Sequence, residues 1–326
     1  MILIFYSTFA PTAQHLATLR SLAGNEPVHV AENEADAIAH APNARIVLGH
    51  RYLRQILPHV TRLEWVQSTA AGVDILQAPA LLKQNVIVSR CPANSEAIAQ
   101  HALALAWALQ RSLPEYVQAQ TAGHWLTPTR MAPLPRTALV LGLGSIGQQL
   151  ARLLRGLGIH VRGTARTATP EKITSCDEYL PPDKWHGALS NTDLLFACLP
   201  LTDSTRQQLN RAALARLPAH AVLVNLGRQG LLDLPALLDA LQQGRLWGAA
   251  LDGLDPIPPA NSPVWHTPGL LITPKVSAHH PGMQANVEQF IEQQLSRYLH
   301  RRPLQAIVSH ADLCAAWPDT TQDTTA

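Results

Sequence analysis

Nine residues, Ile272 to His280 (ITPKVSAHH), gather three side chains able to give or take a proton: Lys275, His279 and His280. An imidazole exchanges its proton near neutrality, whereas a free lysine amine titrates about four units higher, near 10.4. Burial or a neighbouring cation lowers such an amine's pKa, and a carboxylate partner raises it. A lysine in a cleft therefore serves as a general acid or as a fixed cation beside a developing alkoxide. His279 and His280 are the alternative donors, or else solvated and helix-capping residues. His266, in VWHTPG, reads as part of a surface turn.

A second constellation lies upstream. ALVLGLGSIGQQLARLL sets Gly142, Gly144 and Gly147 at GxGxxG spacing, with Ser145 and Ile146 inside the loop. Three glycines at that spacing are weak evidence alone, and an ordinary glycine turn is the alternative. Here an apolar strand precedes them, a helix follows and a further strand arrives on schedule, which is the context a dinucleotide requires. Gly142 permits the tight turn, Gly144 admits a pyrophosphate against the backbone, and Gly147 allows helix and strand to pack closely. The helix start then offers free N–H groups to the anion. About twenty residues on, where an acidic side chain would hold the ribose of NAD, the chain has Ala165, then Arg166 and Thr167. With no carboxylate to repel a 2′-phosphate and a guanidinium able to grip it, NADP(H) is favoured and NAD(H) is the second choice. The alternative for Arg166 is a solvated loop arginine.

These groups need a scaffold, and the chain supplies one. Its 326 residues, 47% hydrophobic, are enough for two domains with substantial cores. A net charge of +2 and the lack of any long basic run argue against a nucleic-acid partner. Cys91, Cys176, Cys198 and Cys314 have neither disulfide-framework nor metal-ligand spacing, so a reducing compartment and no metal are expected. The opening MILIFYSTFA lacks a basic leader and reads as a strand. AIAQHALALAWAL, broken by Gln100 and His101, is too short to cross a bilayer. A cytoplasmic protein with no membrane partner is expected. Lysine occurs only at 83, 172, 184 and 275.

The expected strands in the first part are ILIFY, ARIVLG, LEWVQS and VIVSR. A helix follows from about Asn94 to Gln110, with Asn94 or Ser95 as its cap, and then a proline-rich arm, HWLTPTRMAPLPRT. After the arm, TALVLGLG, HVRGTA, TDLLFACLP, AVLVNLG, WGAALDG and LLITP read as strands. Apolar strands separated by helices predict an α/β fold with doubly wound parallel sheets. The tail after Pro318 is polar and expected to be disordered.

NTDLLFACLPLTDSTRQQLN, AVLVNLGRQGLLDLPALLDAL, GAALDGLDPIP and LLITP, in this order, resemble the D-isomer-specific 2-hydroxyacid dehydrogenases, notably the glyoxylate/hydroxypyruvate reductase branch. LEWVQSTAAGVD and EAIAQHALALAWAL resemble that family's substrate loop and linking helix. The resemblance covers nearly the whole chain. It implies a flavodoxin-like substrate domain from residues 1–94 and 284–326, and a Rossmann domain, 95–283, carrying the linking helix and a dimerisation arm. It implies a homodimer that reduces a small 2-oxo acid to the D-2-hydroxy acid. Arg228 matches the substrate-binding arginine, whose planar fork suits a carboxylate and carbonyl together. N–H groups near Ala71, Gly72 and Val73 would hold the carboxylate, with Asp74 either helping or capping a helix. Leu199, Pro200, Leu226 and Gly227 would line the nicotinamide pocket, and Asp252 would face its carboxamide.

Two departures stand out. The family's proton-donor histidine directly follows "TP", and this chain has Lys275 there. The partner glutamate is absent from a shortened LDGLDPIPP, which leaves Asp255 either as its replacement or as a bystander. Three readings follow: an NADPH-dependent 2-oxo acid reductase with Lys275 as donor, a non-catalytic NADP(H) sensor, or a dehydrogenase of altered substrate.

Overall fold

The computed structural model describes residues 1–72, 76, 81, 85–128 and 131–309. The chain divides into two compact units, one formed by Met1–Asn94 with the segment from His280 onward, the other by Ser95–His279.

In the first unit, strands β1 (Ile2–Phe5), β2 (Val28–Val30), β3 (Ile46–Gly49), β4 (Trp65–Gln67) and β5 (Ile87–Ser89) form a parallel sheet ordered β2-β1-β3-β4-β5. Alternation puts successive side chains on opposite faces. Leu3, Phe5, Val47 and Val66 enter one core while Ile2, Ile4, Leu48 and Trp65 enter the other. Because both faces are covered, the strands read as continuous apolar runs. The returning helix Met283–Leu299 buries Val287, Ile291 and Leu295, spaced four apart on one stripe, in the second core. Its Glu288 accepts from the backbone N–H and the hydroxyl of Thr12 at 2.8 Å each, beside the start of helix Ala13–Ala23, which the same threonine caps.

In the second unit, β6 (Thr137–Leu141), β7 (His160–Thr164), β8 (Glu178–Leu180), β9 (Leu194–Ala197), β10 (Val222–Asn225), β11 (Gly248–Asp252) and β12 (Leu270–Thr273) form a parallel sheet ordered β12-β11-β10-β9-β6-β7-β8. Leu139, Leu195, Leu223 and Leu251 face one core; Val140, Phe196, Val224 and Ala250 face the other, which helix Ser95–Gln110 covers with Ala99, Ala102, Ala106 and Leu109. Strand order reverses beside β6, whose neighbours are β7 and β9, and all strands end on the same edge. Ligands bind at such a switch point, beyond the carboxyl ends.

The doubly wound parallel α/β class is therefore present twice. Two strands were not expected, β2 and β8. Each is a three-residue edge strand, too short to display a period of two. Of the two expected caps, Asn94 and Ser95, Asn94 turns its side chain elsewhere: its Oδ1 meets His280 Nε2 at 2.9 Å and accepts from Asn286 Nδ2 at 3.1 Å. The chain correspondingly re-enters the first unit at His280, four positions before 284. The expectations for Val73, Asp74 and the tail lie outside the described residues. Among the described residues, no helix is long and apolar enough to cross a membrane.

Candidate active site

The glycine loop follows β6 directly. Gly142 lies at φ 100°, and its N–H and that of Leu143 both donate to the Thr164 carbonyl, at 3.0 and 2.9 Å. A Cβ at Gly142 would stand 2.8 Å from the Cys198 carbonyl oxygen, and one at Gly147 would run into the Gly142 carbonyl. Both positions thus require glycine. Gly144 precedes helix Ser145–Gly156 in extended backbone with no capping side chain, so the first helical N–H groups face outward from the loop without a protein acceptor at the cap. The Ser145 hydroxyl is buried with no hydrogen-bond partner. A pyrophosphate placed there would accept from both kinds of donor, so the loop fits the phosphates of a dinucleotide.

Beyond β7, Ala165 is buried, while Arg166 and Thr167 are exposed. Lys172, in helix Pro170–Ser175, folds back so that its Nζ donates to the Thr167 carbonyl at 2.8 Å. Two cations therefore flank this turn. Sequence reasoning named only Arg166; the available signal was a rare lysine six residues further on. The Leu199 and Gly227 loops touch, since a Cβ at Gly227 would lie 2.7 Å from the Leu199 carbonyl oxygen. Burial pushes the Cys198 thiol up to about 12 and that of Cys91 up to about 11, so neither serves as a nucleophile near neutrality.

Arg228 follows β10 in extended backbone. Asn225 braces the turn, donating from Nδ2 to the Arg228 carbonyl at 3.1 Å and accepting from the Gly227 N–H at 3.0 Å. On the adjoining strands Asp252 and Thr273 are register partners. Asp252 is buried, and its carboxylate is committed. Oδ1 accepts from the Thr273 hydroxyl at 2.8 Å and the Val276 N–H at 3.0 Å, and Oδ2 accepts from the Ser277 N–H at 3.2 Å. The resemblance implies a role at the cofactor for Asp252 and gives no sign of this grip on the following turn. Inside that turn sits Lys275, exposed, at φ 58°, its N–H donating to the Thr273 carbonyl at 2.9 Å.

Lys275 and Asp255 form no ion pair among the described residues. Asp255 is exposed, with its N–H donating to Gln229 Oε1 at 2.7 Å. His280 meets Asn94 through Nε2 and accepts from the Gly282 N–H at Nδ1, 3.1 Å, so both ring nitrogens are occupied within the first unit. His279 is exposed in the second unit, and His266, also exposed, ends the 3₁₀ turn Pro263–His266. One sheet edge thus carries the glycine loop, Leu199–Pro200, Leu226–Arg228, Asp252 and Lys275.

In the first unit, the Ala71 carbonyl accepts from Arg90 Nη1 at 3.3 Å, and the Ala70 N–H donates to Ser68 Oγ at 3.0 Å. His50 lies directly after β3. Its Nε2 meets Ser7 Oγ at 2.9 Å and its Nδ1 meets Ser68 Oγ at 3.0 Å, at the carboxyl edge of that sheet. Among the described residues one group, His29, Asp36 and His40, could hold a metal by proximity. The two imidazoles are stacked, however, with centroids 3.8 Å apart and planes at 22°, so their in-plane lone pairs run side by side instead of converging. Asp36 bridges them at 2.9 Å each.

The profile of the D-isomer specific 2-hydroxyacid dehydrogenase, NAD binding domain, matches residues 103–277, more than half of the chain. D-3-phosphoglycerate dehydrogenase of Methanocaldococcus jannaschii is 26% identical over 265 residues, covering 80% of this chain and 50% of that protein. The chain thus spans about half the length of such curated relatives. Among solved structures, an acyclic imino acid reductase in complex with NADPH and D-Arg superposes with a TM-score of 0.78 at 20% identity, covering 95% of this chain and 100% of that one. The NADPH-dependent glyoxylate/hydroxypyruvate reductase of Sinorhizobium meliloti, in complex with NADP and sulfate, gives 0.77 at 23% identity, covering 95% and 98%. At these identities the two structures establish a shared fold.

Proposed function

Because the chain belongs to the D-isomer specific 2-hydroxyacid dehydrogenase family, we propose that it reduces a small 2-oxo acid of the glyoxylate or hydroxypyruvate type with NADPH, as a cytoplasmic homodimer. The observation that carries this reading is Lys275, held at φ 58° where glycine or asparagine would be easier, on the sheet edge that also bears Arg228 and the glycine loop. A left-handed lysine costs stability, and such strain persists where the side chain's direction matters.

The cofactor, when bound, supplies the hydride. The N–H groups at the start of helix Ser145–Gly156 and the Ser145 hydroxyl receive its pyrophosphate. Arg166, with Lys172 beside it, takes the 2′-phosphate; both fold neighbours named above were solved with NADPH or NADP. Arg228 grips the substrate, with Ala71, Gly72 and Val73 keeping their expected role toward its carboxylate. The Lys275 ammonium gives its proton to the ketone oxygen as charge gathers there, leaving a neutral amine. Its exposure lets water return the proton. Among the described residues Asp255 forms no ion pair with it, so the proton is assigned to the amine alone.

A panel of 2-oxo acids with NADPH and NADH tests the reading. NADPH should be consumed with at least one acid, faster than NADH at equal concentration. Tight NADPH binding with no turnover across the panel would favour the sensor reading instead.

A further inference from the structure

The turn bearing Lys275 is held by more than its own backbone, and its supports reach into helix Ser95–Gln110. His101 in that helix lies with Nε2 3.2 Å from Thr273 Oγ1. The Thr273 hydroxyl donates to Asp252 Oδ1 at 2.8 Å, so its oxygen accepts from His101 and its proton passes on to the carboxylate. Asp252 then accepts the N–H groups of Val276 and Ser277, the two residues after Lys275. From the other side, the Thr273 carbonyl accepts from Gly253 at 2.7 Å and from Lys275 at 2.9 Å. Gly253, at φ 99°, presents no side chain to the lysine; a Cβ there would meet Lys275 Cβ at 3.2 Å. Residue 275 is thereby fastened on both flanks and packed against bare backbone.

We propose that His101 and Thr273 are positioning residues: acting through Asp252, they fix the left-handed turn that aims the Lys275 amine. The proposal rests on the reductase reading for its catalytic meaning, though not for its geometry. Each member is suited to the task. A threonine at 273 donates and accepts through one atom, which valine cannot do and serine can. The carboxylate of Asp252, buried and accepting three hydrogen bonds, cannot serve the turn unless Thr273 and the two N–H groups remain in place. His101 comes from a helix packed on the sheet, so the chain references the turn to the core and not to the loop's own contacts.

The test compares Thr273→Val with Thr273→Ser. Valine should lower kcat for the accepted 2-oxo acid by about tenfold or more, with the NADPH Kd within about twofold, and serine should restore kcat to within about twofold. A readout independent of turnover is available because the chain has only four lysines. After reductive ¹³C-methylation, the dimethyl-lysine NMR signal of Lys275, assigned by Lys275→Arg, should shift or broaden with valine and not with serine, while Lys172 and Lys184 stay unmoved. If no 2-oxo acid is turned over by the unaltered protein, the reductase reading fails by itself and the NMR comparison still decides the positioning. A Lys275 signal indifferent to valine at 273 overturns it. Should valine prevent folding, His101→Leu carries the same expectation at about threefold, and an unchanged Lys275 signal there overturns the reach to the helix.

Discussion

Arg228 and Lys275 are both cations, but their chemistries are not exchangeable. The guanidinium offers a rigid fork, the ammonium a compact donor on a flexible stem. Arg228→Lys should therefore raise the KM for the 2-oxo acid by at least about tenfold, as steady-state kinetics would read, because the two-point grip is lost. At the other end of the site, Arg166→Ala and Lys172→Ala should each weaken NADPH by roughly tenfold or more and change NADH little, measured by fluorescence titration. An equal loss for both cofactors would remove the 2′-phosphate assignment. The glycine loop and Arg166 were assigned from their spacing after a strand, whereas the roles given to Arg228 and Lys275 came from the family resemblance. The contact of Lys172 with the Thr167 carbonyl crosses a turn and has no fixed spacing.

Among the elements that hold these residues, β6 depends on a half-buried carboxylate. Asp193, directly before β9, accepts the N–H groups of Arg136 at 2.7 Å and Thr137 at 2.8 Å and meets His220 at 2.9 Å, which ties the start of β6 to its neighbour. Desolvation pushes its carboxyl up, but those donors outweigh it and hold it below the ordinary aspartate value. The folded state thus favours the charged form. This contribution is complete above about pH 4 and is lost as pH falls through the lower folded value. Asp193→Asn should cost about 1–3 kcal/mol at neutral pH and flatten the decline in stability below about pH 4, as chemical denaturation at stepped pH would reveal. An acid limb identical to that of the unaltered chain would contradict this. Here too legibility was uneven. The long apolar strands and the helix Ser95–Gln110 announced themselves by period and length, whereas β2 and β8 are too short for either. Asn94 looked like a cap, but the residue competing for its side chain, His280, lies 186 positions away.

At the scale of the molecule, the two units each repeat the doubly wound plan, and the arm is the part that neither sheet explains. Trp125 is 97% exposed, and Met131 and Leu134 are exposed with it, alongside Val117 on helix Leu113–Thr121. The proposed homodimer would cover apolar side chains of this kind. Sedimentation should give a dimer, and Trp125→Glu with Leu134→Glu should yield a monomer; a monomeric unaltered chain would remove the assignment. The expectation of two units with a return of the chain came from the family resemblance, and the compact units meet in sequence at Asn94 and His280.

The most direct test is the rate of NADPH oxidation by Lys275→Ala at saturating cofactor and 2-oxo acid, with the NADPH dissociation constant determined alongside. The amine's role as proton donor predicts a fall of roughly a hundredfold or more in that rate with cofactor affinity unchanged. An alanine variant as fast as the unaltered protein would contradict it and move the donor to another residue.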